Sequence, residues 1–155
     1  MVIRKQFKFE AAHRVRTSTG SRCKNSIHGH SYIVELFLNQ KEFDPDASMV
    51  MDFGDLKHDV AEFFDCLDHA TFVWDKDDPD YFGAIMKYSR RVIVMEQDPT
   101  AENMAKAFFR SCVKLIQDVS VEVHSVRVHE TATGYAQAFD FSDNDTLTVM
   151  HPNDD

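Results

Sequence analysis

From Met1 to Ala11 apolar and charged residues alternate, and Ile3, Phe7, Phe9 and Ala11 fall on one face, the period of a half-buried strand. The Ser/Thr/Gly-rich stretch RTSTGSRCKNS breaks that pattern as a loop. Alternation resumes in HGHSYIVELFLN, with Tyr32, Val34, Leu36 and Leu38 on one face and Ile33 and Phe37 on the other. Apolar residues on both faces predict a strand covered on both sides. After the turn DPDAS the spacing becomes helical: Leu56, Val60, Phe63 or Phe64, and Leu67 recur through MVMDFGDLKHDVAEFFDCLDHATF, with Asp52 as the expected N-cap.

Residues 74–97 read as an elaboration, with DKDDPD as a solvated loop and RRVIVME as a short strand. A second helix follows in DPTAENMAKAFFRSCVKLIQD, with Asp98 expected as N-cap and Pro99 at the first helical position. Its apolar stripe runs through Ala101, Met104 or Ala105, Phe108, Cys112, Leu115 and Ile116. VEVHSVRVHET and YAQAFDF predict two closing strands before a polar tail. Two strands, two helices and two strands make an α+β sandwich, expected as a single domain over residues 1–155.

Composition narrows the function classes. Hydrophobic residues make up 43% and charged residues 28%, as in ordinary globular proteins. The first residues have no apolar core of a secretory leader, and no apolar run approaches the ~18 residues of a membrane span. Three widely spaced cysteines argue for a reducing compartment, so a cytoplasmic protein is expected. The net charge of -9 opposes nucleic acid and anionic membranes as partners. Between Glu10 and Glu35, however, no acidic residue occurs, while Arg14, Arg16, Arg22 and Lys24 all do. A basic pocket in an acidic protein suits a small anionic ligand; a solvated run of surface charge is the plain alternative.

His28 and His30, two apart at the start of a strand, point to the same face. If the first two strands form a hairpin, His13 ends beside them. Three imidazoles leave one position open on a zinc ion, as in catalytic sites, although H-x-H alone also describes metal-free surface histidines. Cys23 is a fourth ligand, a thiolate activated by Arg22 and Lys24, or an inconsequential loop cysteine. Cys66 and Cys112 are expected as core fillers. Asp68 and His69 are adjacent and so point in different directions, which leaves direct pairing open; each can serve a proton relay, or His69 can interact with the helix C-terminus. Glu130 shares a face with Val126 and Val128, where a carboxylate needs a partner, either an internal cation or a ligand with adjacent N–H donors.

Taken in order, FEAAH, C…HGH, MVMDFGDLK, LDHATF, PTAEN and VHET resemble the 6-pyruvoyl-tetrahydropterin synthase and 6-carboxy-tetrahydropterin synthase family, from about Phe7 to Thr131. The resemblance implies a T-fold: a four-stranded antiparallel sheet with two helices on one face, its strands assembling into an oligomeric β-barrel, commonly a hexamer. It implies His13, His28 and His30 as zinc ligands, Cys23 as the catalytic cysteine, and Asp68 with His69 as the pair completing the machinery. Glu130 matches the pterin anchor, and Thr100 is a further candidate on the pterin side. The implied substrate is 7,8-dihydroneopterin triphosphate, with Arg14, Arg16, Arg22 and Lys24 as candidates for its phosphates. The segment between His69 and Pro99 is longer than in compact members.

Within the family, FEAAH and the short cysteine loop favour 6-carboxy-tetrahydropterin synthase, the queuosine-pathway lyase that releases acetaldehyde and triphosphate. The alternatives are the 6-pyruvoyl enzyme, which eliminates triphosphate alone, and a non-catalytic T-fold module with a structural zinc held by Cys23 and the histidines. A third branch, making a folate precursor, typically carries glutamate in place of the cysteine.

Overall fold

The computed structural model describes residues 1–42, 44–139 and 147–150. The alternating segments form β1 (Val2–His13) and β2 (His28–Gln40), paired antiparallel from Val2 opposite Asn39 to His13 opposite His28. β5 (Val121–Thr131) pairs antiparallel with β2, and β6 (Gly134–Ala138) with β5. These four are the strands that periodicity predicts; Asp140 and Phe141 of the last one lie outside the described residues.

The sheet does not stop at β1. β3 (Ala70–Trp74) and β4 (Val92–Met95) continue it in parallel, and β7 (Leu147–Met150), in the expected polar tail, pairs antiparallel with β4. The order is β6-β5-β2-β1-β3-β4-β7, a mixed sheet of seven strands among the described residues, where four were expected. No strand is expected at ATFVW, which follows the predicted end of the first helix at Asp68 and His69. Its Ala70, Phe72 and Val73 are buried, as are Val92, Ile93 and Met95 of β4. β4 is the short strand expected in RRVIVME, whereas β3, covered on both faces, shows a bare apolar run without the alternation that would identify it.

The helices are α1 (Ser21–Asn25), α2 (Asp59–Asp65), α3 (Pro79–Tyr88) and α4 (Ala101–Leu115). Several expected termini move. The Asp52 carboxylate accepts from Gly54 N at 2.7 Å, shaping a turn ahead of a single 3-10 turn at Asp55–Lys57, so it does not cap α2. Thr100, not Asp98, caps α4 by accepting from Asn103 N. Asp78 caps α3 with Pro79 behind it, so DKDDPD is a helix start and not merely a solvated loop. Cys66 is exposed just past α2, correcting its assignment to the core, whereas Cys112 is buried and its thiol is pushed up to about 12 by that burial.

α2 and α4 cover the face bearing Phe7, Phe9, Tyr32 and Val34. Phe7 stacks on Phe64 at 4.6 Å, and Phe108 packs edge-on against Phe9 at 6.0 Å. Phe108 also meets Phe63, Phe64 and Phe72, joining both helices to the sheet, so truncating it to alanine costs about 3–5 kcal/mol. The opposite face of β2 differs from the expected apolar surface. Between Ile33 and Phe37 lies Glu35, 4% exposed, bonded to Arg4, Arg127 and His129. Burial alone would raise its carboxyl pKa, but the hydrogen bonds from His129 and Arg4 hold it below the ordinary value.

Candidate active site

The β1–β2 register brings His13 opposite His28, and period two puts His30 on the same helix-covered face. One ligand atom from each of the three histidines lies within 4.8 Å of the other two. His13 Nδ1 lies 2.7 Å from the Pro99 carbonyl, and His28 Nδ1 lies 3.0 Å from the Ser26 carbonyl. Both carbonyls are acceptors only, so both Nδ1 atoms carry the hydrogen in the neutral rings. Their Nε2 lone pairs therefore face each other at 3.1 Å with no hydrogen between them. His30 Nε2 is buried with no hydrogen-bond partner. Facing lone pairs and an orphaned ring nitrogen are what a divalent cation corrects, and an all-imidazole donor set suits zinc.

Electrostatics favour the neutral forms of His13 and His30. Burial, opposed by the Pro99 hydrogen bond and assisted by the other two histidines, lowers His13 to about 4. Burial and then His28 lower His30. The His13–Pro99 hydrogen bond fixes the ring's tautomer and orientation, the usual role of a partner behind a metal-binding histidine. Tyr32 Oη adds a longer contact to His13 Nδ1 at 3.3 Å.

Beside the histidines lies a pocket of about 510 Å³, lined among others by Thr17, Cys23, Thr100, Glu130 and Tyr135. Cys23, half-buried on α1, is held by a hydrogen bond from Val15 N to its carbonyl. It stands outside the three-histidine cluster. Glu130 sits 3.7 Å from His13 Nε2, with its carboxyl pKa raised by burial first and by Glu102 second.

The remaining expected site residues divide. Arg14 is committed to Asp77, whose carboxylate it grips, and it stacks 3.7 Å from the Tyr81 ring centre. Arg16, Arg22 and Lys24 are exposed on the loop and α1. Asp68 and His69 do not line the pocket of their own chain. They lie on the β3 side of β1, where Glu10 N donates to Asp68 and His69 N donates to the Glu10 carbonyl. They do pair, Asp68 Oδ2 to His69 Nδ1 at 2.7 Å, with His69 in a left-handed backbone at φ of 59°. The hydrogen bond from Glu10 N, followed by that from His69, lowers the Asp68 pKa.

Sequence reasoning missed Asp77, Asp98, Tyr32 and the Pro99 carbonyl. A Pro-flanked aspartate pair was visible, but its long-range partners were not.

A mixed sheet backed by helices, with three imidazoles converging beside a polar pocket, describes a protein of the T-fold class with a candidate metal-binding cluster. The sequence profile of the 6-pyruvoyl tetrahydropterin synthase family matches residues 2–140, and the chain belongs to that family. It is 37% identical over 146 residues to the 6-carboxy-5,6,7,8-tetrahydropterin synthase of Helicobacter pylori strain J99, covering 90% of this chain and 72% of that one. It is 31% identical to the enzyme of the same name from Aquifex aeolicus, covering 87% and 95%. Among solved structures, Caenorhabditis elegans 6-pyruvoyl tetrahydropterin synthase superposes with a TM-score of 0.64 at 24% identity, over 91% of this chain and 96% of that one. An uncharacterized protein of Wolinella succinogenes gives 0.76 at 23% identity, over 91% and 98%. Both share the fold.

Proposed function

We propose that the chain is a zinc-dependent 6-carboxy-5,6,7,8-tetrahydropterin synthase, a cytoplasmic, single-domain lyase of the queuosine pathway. It converts 7,8-dihydroneopterin triphosphate and water to 6-carboxytetrahydropterin, acetaldehyde and triphosphate. The observation that carries this reading is the three-histidine cluster opening beside a pocket that holds both Cys23 and Glu130. The similarity to relatives bearing that enzyme name supports the choice of product.

In this reading His13, His28 and His30 hold the zinc, which when bound supplies a Lewis acid for the hydroxylated side chain of the substrate. Glu130, acceptor-only when ionised, receives the adjacent N–H groups of the pterin ring, with Thr100 alongside. Cys23 moves protons at the adjacent side-chain carbons as general base. His69, held by Asp68, carries protons on the other side. Since that pair lies outside the pocket of its own chain, it serves the pocket of a neighbouring copy in a homo-oligomer, a hexamer by family resemblance. Arg16, Arg22 and Lys24 face the triphosphate, and Arg14 supports them from its ion pair with Asp77.

The test is anaerobic incubation of the zinc-loaded protein with 7,8-dihydroneopterin triphosphate, with products read by mass spectrometry and Cys23→Ala as control. Carboxytetrahydropterin with acetaldehyde is the expected outcome. A pyruvoyl product moves the protein to the sister activity, and absence of turnover with zinc retained overturns the catalytic reading.

A further inference from the structure

Asp98 is 4% exposed, yet it neither caps α4 nor pairs with an arginine side chain. Its carboxylate crosses to the loop after β1, where Oδ1 accepts from Arg16 N at 3.0 Å and Oδ2 accepts from Thr17 N and Thr17 Oγ1, both at 2.6 Å. That loop is a wall of the pocket, lined by Val15, Thr17, Ser18 and Thr19. A buried carboxylate satisfied by backbone N–H groups is a strong and directional anchor.

The main chain at the same place faces the metal side. The Asp98 carbonyl accepts from Thr100 N at 2.7 Å and from Asn103 Nδ2 at 2.9 Å, which rigidifies the approach to α4. One residue on, the Pro99 carbonyl accepts from His13 Nδ1. The next residue, Thr100, lines the pocket and caps the helix. Three consecutive residues therefore touch the loop wall, a metal-side imidazole and the pocket floor.

We propose that Asp98 is a positioning residue that locks the Arg16–Thr17 wall of the pocket to the segment orienting His13, so that substrate pocket and metal centre are built as one unit. The inference rests on the reading that this pocket takes the pterin triphosphate. Its geometric content, the coupling of loop and metal centre, is separable from that reading. The second buried carboxylate, Asp77, holds the same loop through the Arg14 and Arg16 side chains but, among the described residues, not the segment that orients His13, and so serves as the comparison.

The experiment uses the full-length zinc-loaded protein with Asp98→Ala, Asp98→Asn and Asp77→Asn. Three readouts are taken: trypsin cleavage after Arg16, zinc affinity by chelator competition, and KM and kcat with dihydroneopterin triphosphate. Asp98→Ala is expected to speed cleavage after Arg16 and to weaken zinc about tenfold or more, the usual effect of losing support behind a metal ligand. KM should rise about tenfold while kcat changes by less than about threefold, because pocket wall is lost and the proton-transfer groups are not. Asp98→Asn, which keeps one acceptor oxygen, should fall between, and Asp77→Asn should loosen the loop without weakening zinc. If Asp98→Ala does not fold, Thr17→Val removes one of the donors and should move the same readouts in the same direction. Unchanged cleavage and zinc affinity in Asp98→Ala overturn the proposal, as does a loss of activity that merely tracks the folded fraction. A wild-type protein without turnover sinks the functional reading instead, and the positioning role is then decided by cleavage and zinc affinity alone.

Discussion

His13 Nε2 and His28 Nε2 face each other at 3.1 Å while both Nδ1 atoms donate to backbone carbonyls. Two lone pairs at that distance repel unless a cation lies between them. The protein should therefore bind one divalent zinc per chain. With zinc at a thousandfold its dissociation constant, stability should rise by about 4 kcal/mol over the chelator-stripped protein. Differential scanning calorimetry with and without chelator measures this. His28→Ala and His30→Ala should abolish the difference, because either removes a donor from the cluster.

Cys23 and Glu130 share the pocket but should fail differently when changed. Cys23→Ala removes a general base and leaves the histidine cluster intact, so kcat should fall by about 10²–10⁴ with zinc content unchanged. Glu130→Gln keeps the shape but turns an acceptor oxygen into a donor against the pterin N–H groups, so the main effect should be on KM. Steady-state kinetics alongside metal analysis separates the two. Equal loss of zinc in Cys23→Ala would mean that the thiol is a ligand.

The parts of this structure legible in the sequence are those written in local period. The β1–β2 hairpin follows from alternation, and with it the meeting of His13, His28 and His30. α4 follows from a stripe running from Ala101 to Ile116, although its cap was displaced because Asp98 is drawn to Thr17, 81 residues away. β4 was legible as the short strand in RRVIVME, whereas β3 was hidden because a strand of five residues with its first four buried carries no alternation. The Asp68–His69 pairing could not be read from adjacency, because it depends on the left-handed φ at His69, which departs from the backbone geometry that ordinarily points neighbouring side chains apart. The Pro99 carbonyl that orients His13 carries no side-chain signal at all.

On the other face of the sheet, Glu35 sets an acid limit on stability. Its carboxyl pKa is held below the ordinary value of 4.5. A depressed carboxyl pKa contributes stability that is present above the unfolded-state value and is lost as pH falls through the folded-state value. The loss therefore begins near pH 4.5 and deepens below it. Glu35→Gln should destabilise the protein at pH 7 by about 1–3 kcal/mol, less than a fully buried pair, because Arg4 and Arg127 keep access to water. Urea unfolding between pH 3 and 7, on the order of one point per half unit, should show a shallower acid slope in the variant. Equal slopes would remove Glu35 from the account.

The Asp68–His69 pair provides the sharpest test of assembly. His69 presents a side chain 81% exposed, directed by Asp68, on the β3 side of β1 and away from the lining of its own pocket. If it works on the pocket of a neighbouring copy, each active site takes Cys23 from one chain and His69 from another. Cys23→Ala and His69→Ala homo-oligomers should each be nearly inactive. Unfolded, mixed and refolded together in equal amounts, they should regain activity, since some sites then receive both wild-type groups. For a site built from two chains, about a quarter of the interfaces in a random mixture are intact, so activity near that fraction of wild type is expected. Should the pair serve its own chain, every chain in the mixture carries one lesion and no activity returns.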